Sequence, residues 1–178
     1  MRLRSMVPLY LCLATAAMAC GSDTTQPTGV PSTVSFTYAG DRNGSYTTTG
    51  FIPDVRTGTL WTTKWATAGN FSSGTQGFTG VSASLPTSTG NQRLEISFPY
   101  AVTGTFPLSK ANFDALIFDF NNGVSNGQIY FFNPGTVTVT SATADRVVGT
   151  FSGTAIDSVA KKTIVVTNGS FDVHIGQP

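Results

Sequence analysis

The feature that most limits how this chain can fold is the alternation of apolar and polar residues in short segments. Leu94, Ile96 and Phe98 occupy every second position of one segment, and residues 135–140 (GTVTVT) repeat the pattern with threonine between the valines. Successive side chains of a β-strand point to opposite faces, so a period of two predicts strands with one buried face. Beyond the N-terminal region, no long stretch shows a helical period. The pattern predicts an all-β domain.

Turn-forming residues separate these segments. Asn43-Gly44 predicts a hairpin, and Asn133-Pro134-Gly135 predicts a turn because proline fixes φ and glycine accepts positive φ. Asn168-Gly169 predicts a tight turn or a bulge. Gly69-Asn70 is expected to end the strand that contains Trp65.

The predicted fold is a single antiparallel β-sandwich or barrel over residues 32–178, with about ten strands at the observed segment spacing. Residues 109–116 are the one stretch of this domain where a helical turn is plausible. Phe151 is flanked at two residues' distance by Gly149 and Gly153. This arrangement predicts that the Phe151 ring packs onto a neighbouring backbone, or that the strand bends there.

The composition agrees with a β domain and argues against several functions. Charged residues make up 11% of the chain, against roughly 25% in an ordinary soluble domain. The chain contains 28 threonines and 17 serines, and threonine favours strands because it is β-branched. The formal net charge is +1 with no basic run, so we expect no nucleic-acid partner. With His174 as the single histidine, we expect no metal and no cofactor.

Residues 1–19 predict a signal peptide of the lipoprotein type. Arg2 and Arg4 precede an apolar run over residues 6–19, which is too short to cross a bilayer core of about 30 Å. The run ends in Ala17-Met18-Ala19-Cys20, which resembles a bacterial lipobox, although Ala17 stands where such signals usually carry leucine. In that resemblance the Cys20 thiol is acylated. Ordinary signal cleavage after Ala19 is the alternative, and it would leave Cys20 as a bare thiol.

Cys20 has no partner for a disulfide after cleavage, because Cys12 lies within the signal. We therefore expect residues 20–31 to form an acylated cysteine with a flexible tether rich in threonine and proline. The membrane, reached through this N-terminal lipid anchor, is then one partner of the chain. The lipobox resemblance, with Gly21 after the cysteine, implies a place in the cell envelope at the outer membrane of a Gram-negative bacterium.

The last third of the chain carries a second resemblance. Residues 135–140 (GTVTVT), 146–155 (RVVGTFSGTA) and 166–173 (VTNGSFDV) follow one another in this order. They resemble the end of a group of uncharacterised bacterial envelope lipoproteins, which close in G-T-V-x-V-T, G-x-F-S-G-T-A and N-G-x-F-D-V segments. The resemblance implies a recurring β domain of unknown function that is carried to the envelope, and it implies no activity.

The residues that hydrolytic catalysis would need are sparse. Nucleophile–base catalysis requires a histidine beside the nucleophile, and His174 is expected on the strand face opposite the apolar one. Glycoside hydrolysis requires two carboxylates, and Glu95 is the single glutamate, with Asp114, Asp119 and Asp172 as possible companions. Glu95 alternates with apolar residues, so we expect an outward-facing residue that is paired with Arg93 or Lys64, or unpaired. We predict that the chain is not an enzyme.

The aromatic residues are the remaining candidates for a function. Core packing is the first interpretation, because a small β domain must fill its interior with large side chains. If the domain instead holds a ligand, the lining residues we predict are Trp61, Trp65, Tyr130 and Phe132. The predicted function is an envelope-anchored, non-catalytic interaction or structural module, whose partner is an unidentified envelope protein. The alternative is a binding protein for a small apolar ligand or a glycan in a lipocalin-like or sandwich pocket.

Overall fold

The computed structural model describes residues 29–52, 63–73, 76–88, 90–100, 102–109, 115–121 and 124–176. Ten strands lie in these ranges, and all of the strand pairs are antiparallel. The strands are β1 (Thr33–Gly40), β2 (Gly44–Thr49), β3 (Trp65–Ser73), β4 (Gln76–Thr87), β5 (Gly90–Pro99), β6 (Gly104–Leu108), β7 (Ala115–Asn121), β8 (Val124–Ala142), β9 (Arg146–Asp157) and β10 (Lys162–His174).

Hydrogen-bonded neighbours follow the order β2-β1-β10-β9-β8-β7-β5-β4-β3, and β6 pairs with the second half of β8. The strands form two antiparallel sheets that pack against each other, so the predicted antiparallel all-β fold is confirmed, and the two packed sheets are consistent with the sandwich form. By their place along the pairing path, we call β2, β1, β10, β9 and β6 the first layer and β7, β5, β4 and β3 the second layer. Between them, the rings of Phe98 on β5 and Phe171 on β10 stack with their centroids 5.9 Å apart.

The alternation in β5 has the predicted consequence. Leu94, Ile96 and Phe98 are buried, while Arg93 and Glu95, which alternate with them, are half-buried on the other face. Aromatic residues supply much of the interior, as expected where few large aliphatic side chains are available. The rings of Phe36, Phe132 and Phe171 surround Phe151, with centroids 5.7, 6.3 and 6.4 Å away.

The long strand β8 pairs with β7 before Asn133-Pro134 and with β6 after it. A cis peptide bond joins these residues, and the register between β8 and β9 shifts between Phe132 and Gly135. The turn predicted here is wrong, because the strand continues through proline with ladder partners on both sides of it. At this point of β8, a Cβ atom on Gly153 of β9 would lie 2.4 Å from the Cα atom of Gly135. Gly153 has a φ of 154°, which other residues rarely adopt.

The glycines around Phe151 make room for rings, as the sequence predicted. A Cβ atom on Gly149 would lie 2.4 Å from the ring of Phe171 and from the carbonyl oxygen of Thr138. A Cβ atom on Gly169 would lie 2.3 Å from the carbonyl oxygen of Phe151 and 2.7 Å from its ring. The Phe151 ring therefore packs directly onto the backbone of β10.

Asn168-Gly169 is a bulge, which was one of the two predicted alternatives. The register of β10 shifts against β9 between Val166 and Gly169, and against β1 between Ser35 and Thr37. Asn168 is the extra residue, with a φ of 53°. This left-handed conformation is one that asparagine tolerates better than most residues.

The hairpin between β1 and β2 is longer than Asn43-Gly44 predicted. The last pair is Tyr38 with Gly44, so Gly44 is a strand residue and the loop precedes it. The side-chain Oδ1 of Asn43 accepts a hydrogen bond of 3.0 Å from the backbone N–H of Gly40. Gly44 is required for another reason, because a Cβ atom there would lie 2.6 Å from the Tyr38 hydroxyl.

The prediction that Gly69-Asn70 ends a strand is wrong. Strand β3 continues to Ser73 because Gly69 pairs with Gly80 and Asn70 pairs with Thr79 of β4. The Phe71 ring then covers Gly80, where a Cβ atom would lie 2.4 Å from the ring. A helical turn was also predicted as plausible at residues 109–116. Residues 115 and 116 instead belong to strand β7. Residues 110–114 lie outside the described ranges.

Candidate interaction surfaces

Three of the four residues predicted to line a ligand site belong to the interior. Trp65 is 2% exposed, and Tyr130 and Phe132 are fully buried. Trp61 lies outside the described residues. Phe131 is half-buried while Phe132 packs edge-on against Phe151, as expected for neighbours on opposite faces of β8. These rings are packed rather than presented to a ligand in this conformation.

The buried Trp65 forms a polar cluster with two charged residues of β5, Arg93 and Glu95. The guanidinium of Arg93 lies 5.8 Å from the centre of the Trp65 ring, within range of a cation–π contact. Arg93 also forms an ion pair of 2.8 Å with Glu95. The sequence named Arg93 as a possible partner of Glu95, and the structure confirms this pair.

Next to this cluster lies a buried hydrogen-bond network. The Thr48 hydroxyl donates to the carbonyl oxygen of Ser84 over 2.7 Å, and the Asn91 amide donates to the Ser84 hydroxyl over 2.8 Å. The hydroxyl of Tyr46 is buried with no hydrogen-bond partner among the described residues. Burial raises the pKa of Tyr46 well above its ordinary value, and the positive charge of Arg93 opposes this effect.

His174 lies at the end of β10 and is half-buried. Its ring centroid is 5.7 Å from that of Phe51, and its backbone N–H donates to the Ser32 hydroxyl over 2.9 Å. Nearby, the Thr143 hydroxyl donates to Asp145 over 2.7 Å, and this bond holds the pKa of Asp145 below its ordinary value. His174 therefore packs against the start of the domain on the face predicted for it.

The acidic residues named by the sequence are engaged or lie outside the description. Asp172 forms an ion pair with Arg146, just as Glu95 does with Arg93. Asp114 and the side chain of Asp119 are outside the described set. In the part of the chain that the structure describes, no group of three or more His, Cys, Asp or Glu side chains could hold a metal ion.

The outward face of the first layer is covered with hydroxyl groups, and we call it the hydroxyl face. Its side chains are exposed or half-buried and come from six strands. They are Thr33, Ser35 and Thr37 of β1; Ser45, Thr47 and Thr49 of β2; Thr105 of β6; Thr136, Thr138 and Thr140 of β8; Thr150, Ser152 and Thr154 of β9; and Thr163, Thr167 and Ser170 of β10. Three hydrogen bonds of 2.9 Å link hydroxyls across strands: Ser35 with Ser170, Thr37 with Thr167, and Thr105 with Thr138.

A shallow depression of about 250 Å³ interrupts the hydroxyl face beside the β10 bulge. Its lining includes Thr136 of β8, Thr150 and Ser152 of β9, and Asn168 of the bulge. The bulge creates this depression because the extra residue lifts part of β10 out of the flat ladder. Alternation predicted that these threonines face outward, but no sequence signal predicted which strands would lie next to one another.

A second depression, open and of about 320 Å³, lies between Phe71 and Tyr100. Gly77 and Asn70 complete its lining. Phe71 and Tyr100 are 46% and 50% exposed, so they are the aromatic rings that this surface presents. The sequence does not single them out, because their exposure depends on the pairing of β3 with β4 and on the path of the chain after β5.

Comparison of the chain with models of protein families, with curated proteins and with solved structures gave no match. No helix among the described residues is long and apolar enough to cross a membrane. Cys20, the predicted lipidation site, precedes the described residues.

Proposed function

We propose that this chain is an envelope-anchored, non-catalytic β domain that acts as an interaction or structural module through its outer surface. The observation that carries the proposal is the hydroxyl face, in which threonine and serine side chains of six strands form one surface. Beneath it, the inward side chains of the same strands form a packed aromatic core. An amphipathic sheet of this kind leaves its outer face available for a partner.

The chemistry of the hydroxyl face favours an uncharged partner. Hydroxyl groups both donate and accept hydrogen bonds, and the strands place them about 4.8 Å apart across the sheet. Such a surface recognises hydrogen-bonding groups without strong electrostatic selection, as an envelope protein or a glycan would offer. After removal of the signal, which contains Arg2 and Arg4, eight basic residues stand against nine acidic ones, so the domain is close to neutral.

The anchoring part of the proposal rests on the lipobox-like sequence at Cys20 and on the tether that follows. Acylation of Cys20 would hold the domain at a membrane of the cell envelope, with the outer membrane of a Gram-negative bacterium as the proposed location. The predicted tether ends at residue 31, two residues before β1 begins at Thr33.

An interior site for an apolar ligand or a glycan is the alternative proposal. It would require the rings of Trp65, Tyr130 and Phe132, each at most 2% exposed, to leave their buried positions. Closely packed interiors resist such movement, because a displaced ring loses its packing contacts. A surface site needs no such rearrangement, and we therefore favour it.

Site-specific cross-linking in intact cells tests the proposal. A photoreactive residue at Thr150, on the hydroxyl face, should give a discrete adduct. One at Val159, which is 87% exposed in the turn after β9, should not give that adduct. Thr136→Lys, which puts a charge beside Thr150 on the same face, should abolish it while the folded protein accumulates normally. Identical adducts from both positions, or none from Thr150, would contradict the proposal.

A further inference from the structure

The point where the tether enters the sandwich is defined by contacts of the first described residues. The carbonyl oxygen of Val30 accepts a hydrogen bond of 3.0 Å from Arg146, at the start of β9. The hydroxyl of Ser32 accepts one of 2.9 Å from the backbone of His174, at the end of β10. We call this end of the sandwich, where β10 finishes and the chain enters, the tether end.

The second layer contributes β3 and β5 to the same end. Ala68 of β3 makes a parallel bridge with Ile175, and its carbonyl oxygen accepts a hydrogen bond of 3.0 Å from Gly176. Phe71 therefore lies three residues further in the direction in which β10 leaves the sheet. Tyr100 lies beside it, because its backbone N–H donates to Gly77 over 3.1 Å.

Exposed apolar side chains gather at the tether end. The large hydrophobic residues that are exposed in the described ranges are Val30, Phe71, Tyr100, Val102, Val159 and Val165. The first four lie at the tether end, with exposures of 68, 46, 50 and 48%, and they include both aromatic rings. The opposite end carries Val159, beside Lys161 and Lys162 and near the Asp41 loop.

The aromatic pair is held outward by its surroundings. Phe71 packs edge-on against Phe78, with centroids 4.4 Å apart, and its ring covers Gly80. Asn70 is fixed by a hydrogen bond of 2.7 Å from the Thr79 hydroxyl to its Oδ1. The side chains that line the depression carry no charge. An exposed apolar patch on a rigid support is typical of a contact surface.

We propose that the tether end rests on a phospholipid surface, with Phe71, Tyr100 and Val102 in the head-group region. This inference depends on the proposed anchor at Cys20. Gly29 is nine positions after Cys20, so the lipid and the tether end lie within about 30 Å of each other. Tyrosine suits this position because its ring is apolar while its hydroxyl stays hydrated. The contact is apolar, so high salt should leave it intact.

The test uses the acylated full-length protein reconstituted into phosphatidylcholine vesicles. Cleavage of the signal removes Cys12, and acylation blocks the thiol of Cys20. Val102→Cys therefore provides a single free thiol for an environment-sensitive fluorophore. Val159→Cys is the matched control at the opposite end. We expect a blue shift and quenching by brominated lipid at position 102, and neither at position 159. An unshifted label at 102, or equal quenching at both positions, would overturn the inference.

A second variant separates the contact from the anchor. Phe71→Ser with Tyr100→Ser should remove the blue shift of the label at position 102, while the protein still floats with the vesicles. Flotation with an unshifted label in the otherwise unchanged protein overturns only the membrane contact. Failure to float at all overturns the proposed anchoring. Protection of Tyr100 by a soluble neutral hexasaccharide, with the label at 102 unquenched, would assign the patch to glycan binding and overturn the inference.

Discussion

The ring of Tyr46 stabilises the core of this domain, whereas its buried hydroxyl destabilises it. Its ring stacks on that of Phe36, with centroids 4.8 Å apart, and the residue is 1% exposed. Its hydroxyl has no hydrogen-bond partner among the described residues. An unpaired buried hydroxyl loses its hydration without compensation, so this single atom lowers the stability of the fold.

The first prediction is that Tyr46→Phe stabilises the protein by about 1 kcal/mol at pH 7, because the unpaired hydroxyl is removed while the ring remains. The unfolded-state phenol ionises near pH 10, whereas burial raises the pKa of Tyr46 in the folded state. The unfolded state therefore loses this proton first, and stability falls as the pH rises above about 10, by up to about 1.4 kcal/mol per pH unit. Tyr46→Phe should remove the part of this loss of stability above pH 10 that Tyr46 causes.

Urea denaturation at pH 7 and above pH 10 measures both effects. Tyr100→Phe is the matched control, because Tyr100 is 50% exposed and should change stability little. Destabilisation by Tyr46→Phe at pH 7 would mean that its hydroxyl has a partner after all.

Individual residues were predictable where one strand pattern decided their environment. The alternation around Glu95 placed Arg93 on the same face, and the two form an ion pair. It could not decide which aromatic rings face inward when both faces of a strand are apolar. The sequence left Trp65, Tyr130 and Phe132 open between core packing and a ligand site, and the structure shows all three buried.

At the scale of strands, the bulge in β10 affects the strand register, the packing of Phe151 and the shape of the hydroxyl face. The extra residue, Asn168, shifts the register against both β1 and β9. Gly169 then comes close enough for the Phe151 ring to pack on its backbone. The bulge also shapes the depression of the hydroxyl face.

We predict that the left-handed backbone conformation of Asn168 determines which residues can replace it. Asn168→Val should destabilise the protein by about 1–3 kcal/mol, because a β-branched residue is strained at a φ of 53°. Asn168→Gly at the same position should stay within about 1 kcal/mol of the wild type. Thermal and urea unfolding compare the two variants directly. Equal losses for both would show that the asparagine side chain, and not the backbone conformation, stabilises the bulge.

The local pattern predicted where strands occur, but it did not predict how far each strand continues. Proline and glycine in Asn133-Pro134-Gly135 indicated a turn, yet β8 runs through them from Val124 to Ala142. Gly69-Asn70 indicated a strand end, yet pairing with β4 carries β3 onward. In both places backbone partners distant in sequence decide the outcome, and a local signal contains no information about them.

At the scale of the whole molecule, the strand order brings the two ends of the domain together. Strand β1 pairs with β10, so the tether enters beside the last strand. Alternation predicted a sandwich or barrel, and the two packed antiparallel sheets are consistent with the sandwich. The separation of the hydroxyl face from the tether end could not be predicted, because it depends on which strands are neighbours. In the proposed account, one surface meets a partner and one end meets the membrane.

The central claim is that this domain is anchored in the cell envelope through Cys20, and metabolic labelling with palmitate tests it most directly. The wild-type protein should incorporate the label and sediment with membranes. Cys20→Ala should incorporate none, because the acylated thiol is removed, and Cys12→Ala should label like the wild type since Cys12 lies in the signal. Equal labelling of the wild type and Cys20→Ala, or no labelling of either, would contradict the account.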